Sequence, residues 1–342
     1  DLDTSISTLT AGSTNAAITI REANGLAINT VNAGTGTVTL TLALGAITDN
    51  NGSGTLNLTA GLAALTGPAG IDLDTSISTL TAGSTNAAIA IREADGLAIN
   101  TVNAGTGAIT ITLAAGAITD NNAGVNNLTA STAVLTAPAG INLDTTLGTL
   151  TATVTNGDLT IREANALVLN GVTVSGTATI ALQAAGSLTG AGLTPNLTAS
   201  TAVLSTTGAS DITLSTTLGT LTATTAGTLT ITETDSLILN NVNATTAAVI
   251  TLNAGSLTGA AGTDLTTATA TLTAPSGIDL DTTVGTLLAT VTNGNLTIRE
   301  ANGLILGTVT VSGTATITLG AAGDLTGGTL TAYALQVLGK NW

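Results

Sequence analysis

The chain has 342 residues, with Lys plus Arg at 5 against 20 Asp plus Glu and a formal charge of −15, a balance that argues against nucleic acid or an anionic membrane as partner. No apolar run approaches the ~18 residues of a membrane span, which argues against insertion. It contains no Cys and no His, which removes a disulfide framework, a thiol nucleophile and an imidazole proton shuttle. Only Tyr333 and Trp342 are aromatic, so any core must be built from thin layers of small aliphatic side chains.

In chain order, the stretch Asp1-Leu2-Asp3-Thr4 returns in recognisable form at 72, 142, 213 and 279, giving five repeats: 1–71, 72–141, 142–212, 213–278 and 279–342. Repeats 1 and 2 are nearly identical, repeat 4 drifts furthest, and repeat 5 returns toward repeat 3. Asp1 is in phase with the later starts, so the chain reads as a piece of something longer. An array of this kind is expected to form one continuous body whose neighbours supply each repeat's missing packing.

Inside repeat 1 the apolar period is 2. Ile18 and Ile20 alternate with Thr19 and Arg21; Val38, Leu40 and Leu42 alternate with Thr37, Thr39 and Thr41; Leu56 and Leu58 alternate with Thr55, Asn57 and Thr59. That is the pattern of strands with one face buried, aliphatics inward and β-branched Thr outward. Asn24-Gly25, Ala33-Gly34 and Asp49-Asn50-Asn51-Gly52 supply corners, and Pro68, Pro138 and Pro275 each stand three residues before an Ile in one recurring corner. The anchors Leu2, Ile18, Val38, Leu56 and Leu73 are 16, 20, 18 and 17 residues apart. This spacing predicts an all-β parallel β-helix with about four coils in each ~70-residue repeat, hence eighteen or nineteen coils stacked at ~4.8 Å over roughly 90 Å. An antiparallel sandwich is the alternative, but it gives no reason for the sub-period.

The second recurring stretch is Ile20-Arg21-Glu22-Ala23-Asn24. It returns with Arg92-Glu93, Arg162-Glu163 and Arg299-Glu300, and in degenerate form as Thr232-Glu233; these copies hold every Arg and Glu of the chain. An Arg fork repeated once per repeat could read carboxylate or sulfate along a linear row of sites roughly 19 Å apart. The structural reading is an Arg–Glu or Arg–Asp pair tying neighbouring coils, with Arg outward and Glu beginning the turn. Asp1 with Asp3, Asp72 with Asp74 and Asp279 with Asp281 offer oxygens to calcium, but Asn142 replaces the first in repeat 3 and Thr213 with Ser215 replaces both in repeat 4. No metal, cofactor or catalytic residue is assigned. Outward Thr37-Thr39-Thr41, Thr110-Thr112 and Thr316-Thr318 have the form of ice-binding ladders, and Asn57, Asn127, Asn196, Asn243 and Asn295 begin Asn-x-Thr sequences that fit N-glycosylation if the Asn faces outward. Tyr333, Lys340 and Trp342 belong either to a further coil at the chain end or to a cap over an open sheet edge.

The runs Leu26 to Val31, Gly36 to Leu40, Gly45 to Asp49 and Leu56 to Ala60, with the same cadence at Gly171 to Ile180 and Gly307 to Ile317, resemble the repeats of filamentous-haemagglutinin-like exoproteins. These are bacterial adhesins exported by two-partner secretion. The resemblance covers essentially residues 1–332 and implies a right-handed parallel β-helix, secretion, and a non-catalytic shaft or adhesive fibre at the cell surface. Expected partners are flanking repeats or further copies, and a receptor on a host or neighbouring cell.

Overall fold

A computed structural model describes residues 1–192 and 194–339; Lys340 and Trp342, named above as part of a further coil or a cap, lie outside the described residues. Among the described residues there is no helix. Thirty strands pair in parallel and stack as a β-solenoid of about 17 turns. The chain divides into two compact bodies, one formed by Asp1–Asn165 with Val172–Ser175 and the other by Ala166–Gly171 with Gly176–Trp342.

In the first body the ladders can be followed turn by turn. Leu2 pairs with Ile20, Ile20 with Leu40, Leu40 with Leu65, Leu65 with Ala82, Ala82 with Val102, and Val102 with Leu128. A turn is therefore nearer twenty residues than eighteen. The longest turns are those that carry the loops at 50–57 and 121–127. Three turns carry the chain from Leu2 to Leu65, and Leu73 lies on a different ladder, running Leu73, Ile91, Ile111, Leu135 and Ala152. The repeat is thus about three and a half turns, shorter in turns than the anchor spacing suggests. Equivalent residues of successive repeats face opposite sides.

Alternation works as the sequence predicts. The strand Ile71–Gly83 buries Ile71, Leu73, Ile77, Leu80 and Ala82, and its neighbours do the same in register. One resulting column runs Ile47, Ile71, Ile89, Ile109, Ala133 and Leu150, with every member at 2% exposure or less. Each fully buried Leu or Ile contributes roughly 1.5–3 kcal/mol by leaving water. Backbone groups are satisfied by the turns above and below, including at the proline corners, where Thr85 N–H donates to the Pro68 carbonyl at 2.9 Å and Asn156 N–H to Pro138 at 2.7 Å. At one corner the stack leaves no room for a side chain. Gly45 has φ +84°, and a Cβ there would sit 2.5 Å from the Gly25 backbone nitrogen.

In the second body the strand Ala334–Gly339 stacks in parallel on Thr316–Ala321, pairing Leu335 with Ile317 and Val337 with Leu319. It is one further turn of the ladder. Tyr333, just before it, is 76% exposed.

Ile99 sits at 0% exposure between Leu80 and Asp120 of adjacent turns. Ile99→Ala is expected to lower stability by about 2–5 kcal/mol in urea denaturation; a loss well under 1 kcal/mol would mean the column closes over the gap.

Candidate functional site

The recurring Arg-Glu stretch ends a strand in each repeat, and the two side chains part company there. Alternation sends Glu inward: Glu22, Glu93, Glu163, Glu233 and Glu300 are all at 4% exposure or less. Each carboxylate meets a threonine one turn earlier. Glu22 accepts from Thr4 at 2.7 Å, Glu93 from Thr75 at 2.7 Å, Glu163 from Thr145 at 2.8 Å, Glu233 from Thr216 at 2.7 Å and Glu300 from Thr282 at 2.8 Å. The same carboxylate accepts the backbone N–H two residues past that threonine, from Ile6, Ile77, Leu147, Leu218 or Val284 at 2.9 to 3.1 Å. Its other oxygen accepts from its own corner, from Asn24, Asp95, Asn165 or Asn302 N–H at 3.2 Å and from Thr234 N–H at 2.8 Å. Through these accepted bonds the carboxyl group acts as a stitch between turns.

The arginine stays outside and pairs with aspartate, not with glutamate. Arg21 reaches Asp1 at 2.7 Å and Asp3 at 3.3 Å. Arg92 reaches Asp72 at 2.6 Å and also contacts Asp74. Arg299 repeats this with Asp279 at 2.6 Å and Asp281, while Arg162 uses Asn142 at 2.9 Å and Asp144. The oxygens considered above for calcium are thus occupied by a guanidinium one turn away. In repeat 4, Thr213 and Ser215 replace the aspartates and Thr232 replaces the arginine, so both halves of the pair are missing together.

The single row of arginines expected once every 19 Å is corrected by the half-integral repeat. Arg21 lies on the ladder Arg21, Thr41, Thr66, Gly83, Asn103, Thr129 and Thr146, whereas Arg92 lies on the other side with Thr112, Thr136 and Thr153. Arg162 returns to the first side, because Glu163 stacks on Thr145 at the foot of the Ile20 ladder. On one side, neighbouring forks are about seven turns apart, roughly 34 Å at 4.8 Å per turn.

A second set of buried polar groups escaped the sequence reading. Asn57, Asn127 and Asn196 are at 0%, 0% and 3% exposure. Asn57 Nδ2 donates to the Ile28 carbonyl at 2.9 Å, Asp49 at 2.8 Å and Asn51 at 2.9 Å, while its Oδ1 accepts from Asp74 N–H at 2.8 Å. Asn127 repeats this with Ile99, Asp120, Asn122 and Asp144. The expectation of outward, modifiable side chains fails at these three positions, since the amide is enclosed and spent on inter-turn bonds; Asn243 and Asn295 are exposed. The available signal was an Asn standing two before a Thr and just ahead of an inward Leu in repeats 1, 2 and 3, a spacing that reads equally as a glycosylation sequence.

The outward Thr of the strands Thr37–Leu42, Ala108–Leu113 and Thr316–Ala321 are half-buried or exposed. A longer hydroxyl ladder stands in the second body: Ser215, Thr232, Thr251, Thr273, Thr290, Thr310 and Thr331 occupy one column in successive turns.

Burial sets the titration of the inner carboxylates. It pushes Glu93 up to about 7, against the lowering effect of Thr75 and the N–H groups of Asp95, Ile77 and Ala94, and it also raises Glu163, Glu233 and Glu300. Glu22 is equally hidden as a residue, but only the strand Leu2–Thr4 lies above it. There burial is outdone by the bonds from Ile6, Thr4, Asn24 and Ala23, and its value is lowered. Asp49 and Asp120 are lowered as well: burial is overcome by donors from the loop and from Asn57 or Asn127.

The family model described as "Repeats of unknown function (DUF5649)" matches residues 293–340, a minor part of the chain. No curated protein and no solved structure matches the chain.

Two measurements follow from the stitch. Because Glu93 binds its proton more tightly folded than unfolded, its stabilising contribution is full below about pH 4.5 and is lost as pH rises through about 7, a change on the order of 3 kcal/mol. Glu93→Gln is expected to flatten that part of the stability–pH curve, and an unchanged slope in the variant would show that the group does not titrate there. Arg299→Ala, at a side chain 51% exposed whose partners Asp279 and Asp281 are also exposed, is expected to cost no more than about 1 kcal/mol. Thr75→Val removes a donor from a buried carboxylate and is expected to cost about 1–3 kcal/mol, so chemical denaturation should rank the two variants in that order.

Proposed function

We propose that the chain is a non-catalytic structural segment, the shaft of an extracellular bacterial adhesin or surface filament of the filamentous-haemagglutinin-like kind. One observation carries this reading: the carboxylates and guanidinium groups of the recurring stretch are spent on joining one turn to the next, and they are spent the same way repeat after repeat. Five glutamates each hold a threonine of the preceding turn, and four arginines each hold an aspartate of it. A catalytic centre needs a constellation that differs from its surroundings. A body that carries tension along its length needs the same kind of link to recur along it. The resemblance of the repeat cadence to two-partner-secretion adhesins supplies the cell-surface setting, with flanking repeats, further copies of the chain or a cell-surface receptor as partners.

A second reading, a repetitive ligand binder, is favoured by the unbroken hydroxyl ladder from Ser215 to Thr331, whose regular spacing suits an ordered lattice such as ice. Glycan binding along the arginines is less well served, since Arg21, Arg92 and Arg162 of the first body face alternate sides.

Negative-stain imaging of the purified chain discriminates the readings together with a thermal-hysteresis assay. Elongated particles or fibres without hysteresis are the expected result. Compact particles would end the shaft reading, and clear hysteresis that is lost on replacing Thr251 and Thr273 by Val would transfer the function to the hydroxyl ladder.

A further inference from the structure

In the fourth repeat the buried asparagine position is taken by an acid. Asp264 stands where Asn57, Asn127 and Asn196 stand. Its carbonyl accepts from Val242 N–H at 2.8 Å, as that of Asn57 does from Val31 at 2.7 Å, and its N–H donates to the Asp281 carbonyl at 2.8 Å, as that of Asn57 does to Asp74. Its side chain is likewise inside, at 2% exposure. One oxygen takes the role of the asparagine oxygen: Asp264 Oδ2 accepts from Asp281 N–H at 2.7 Å. The other, Oδ1, takes the place of the amide nitrogen and has no hydrogen-bond partner.

The asparagines show what surrounds that place. Asn57 and Asn127 use Nδ2 to donate to the Ile28 and Ile99 carbonyls, each of which also accepts a backbone N–H, from Asn50 and Asn121 respectively at 3.0 Å. Leu239 holds the equivalent position in repeat 4, and its carbonyl accepts from Ala260 N–H at 2.9 Å with a second lone pair left over. The site is built for a donor, and an ionised carboxylate has none. A glycine, Gly259, occupies the position of Asp49 and Asp120, so the acidic partner present in repeats 1 and 2 is also gone; a Cβ on Gly259 would lie 1.7 Å from Asp264 Oδ2.

We propose that Asp264 is a neutral carboxylic acid in the folded protein, its Oδ1–H donating where the other repeats donate an amide N–H, so that this one inter-turn link depends on a proton. The charged groups facing it agree with this. Burial raises its value, the Asp281 N–H lowers it, the neighbouring Asp281 carboxylate raises it, the Ala260 N–H, which donates to the Leu239 carbonyl, lowers it further, and Arg299, already engaged by Asp279 and Asp281, lowers it least. The sign is that of a raised acid: the link is intact below the ordinary aspartate range and is weakened as pH rises through the folded value. The fourth repeat would then be the place where an alkaline shift loosens the stack.

The test compares the wild-type chain with Asp264→Asn, a residue three other repeats already accommodate there. The variant is expected to melt higher than wild type by roughly 2–4 °C at about pH 8, with the gap closing toward about pH 4. The wild-type-minus-variant infrared difference spectrum at neutral pH should carry a protonated-carboxyl band, since the buried glutamates are common to both chains and cancel. A variant that melts no higher than wild type at about pH 8, or a spectrum without that band, would overturn the proposal.

Discussion

A carboxylate taken out of water between two stacked turns must be met by donors or it will not stay there. That constraint organises this solenoid. At each of the five glutamates a threonine hydroxyl from the turn before, the backbone N–H two residues beyond it and an N–H of the corner itself converge on one side chain. Hydrophobic columns such as Ile71, Ile89 and Ile109 drive turns together, but they are nearly indifferent to a slip of one turn, since one aliphatic replaces another. The glutamate is not indifferent, because it needs that particular threonine. It sets the register that the aliphatic core leaves loose.

Repeat 4 separates what the fold needs from what it tolerates. There the outer arginine and both aspartates are gone, yet Glu233 keeps Thr216, Leu218 and Thr234 as partners. An exposed ion pair contributes little and can be dropped as a whole. A buried acceptor with its donors cannot lose one member without stranding the other. The asparagine position tells the same story from the opposite side. Three repeats satisfy it with an amide, and the fourth places an acid there with one oxygen unmet.

The half-integral repeat has consequences for any surface function. Because about three and a half turns make one repeat, near-identical sequence is presented alternately to opposite sides, and no single side receives a feature from every repeat in the first body. Regular surfaces must instead arise from residues that coincide by turn. The column from Ser215 to Thr331 is of this kind: its members come from different places in the repeat and agree only in being hydroxyls.

The sequence by itself determined that the chain is all-β, repetitive and stacked, because a period of two and a recurring 71-residue word are local properties that no tertiary contact has to supply. It also marked Arg21, Glu22 and their counterparts as the place where chemistry is concentrated. Alternation put Arg21 outward, but it could not say that Glu22 stays inward, since Glu22 begins a corner where alternation ends. Nor could it count residues per turn, since loops such as 50–57 lengthen some turns and not others. Tertiary structure decided those points: the turn length, the alternating sides, the aspartate partners of the arginines and the burial of Asn57 and Asp264. All of them depend on what lies one turn away, some twenty residues distant in the chain, and only the stacked ladders bring those residues together.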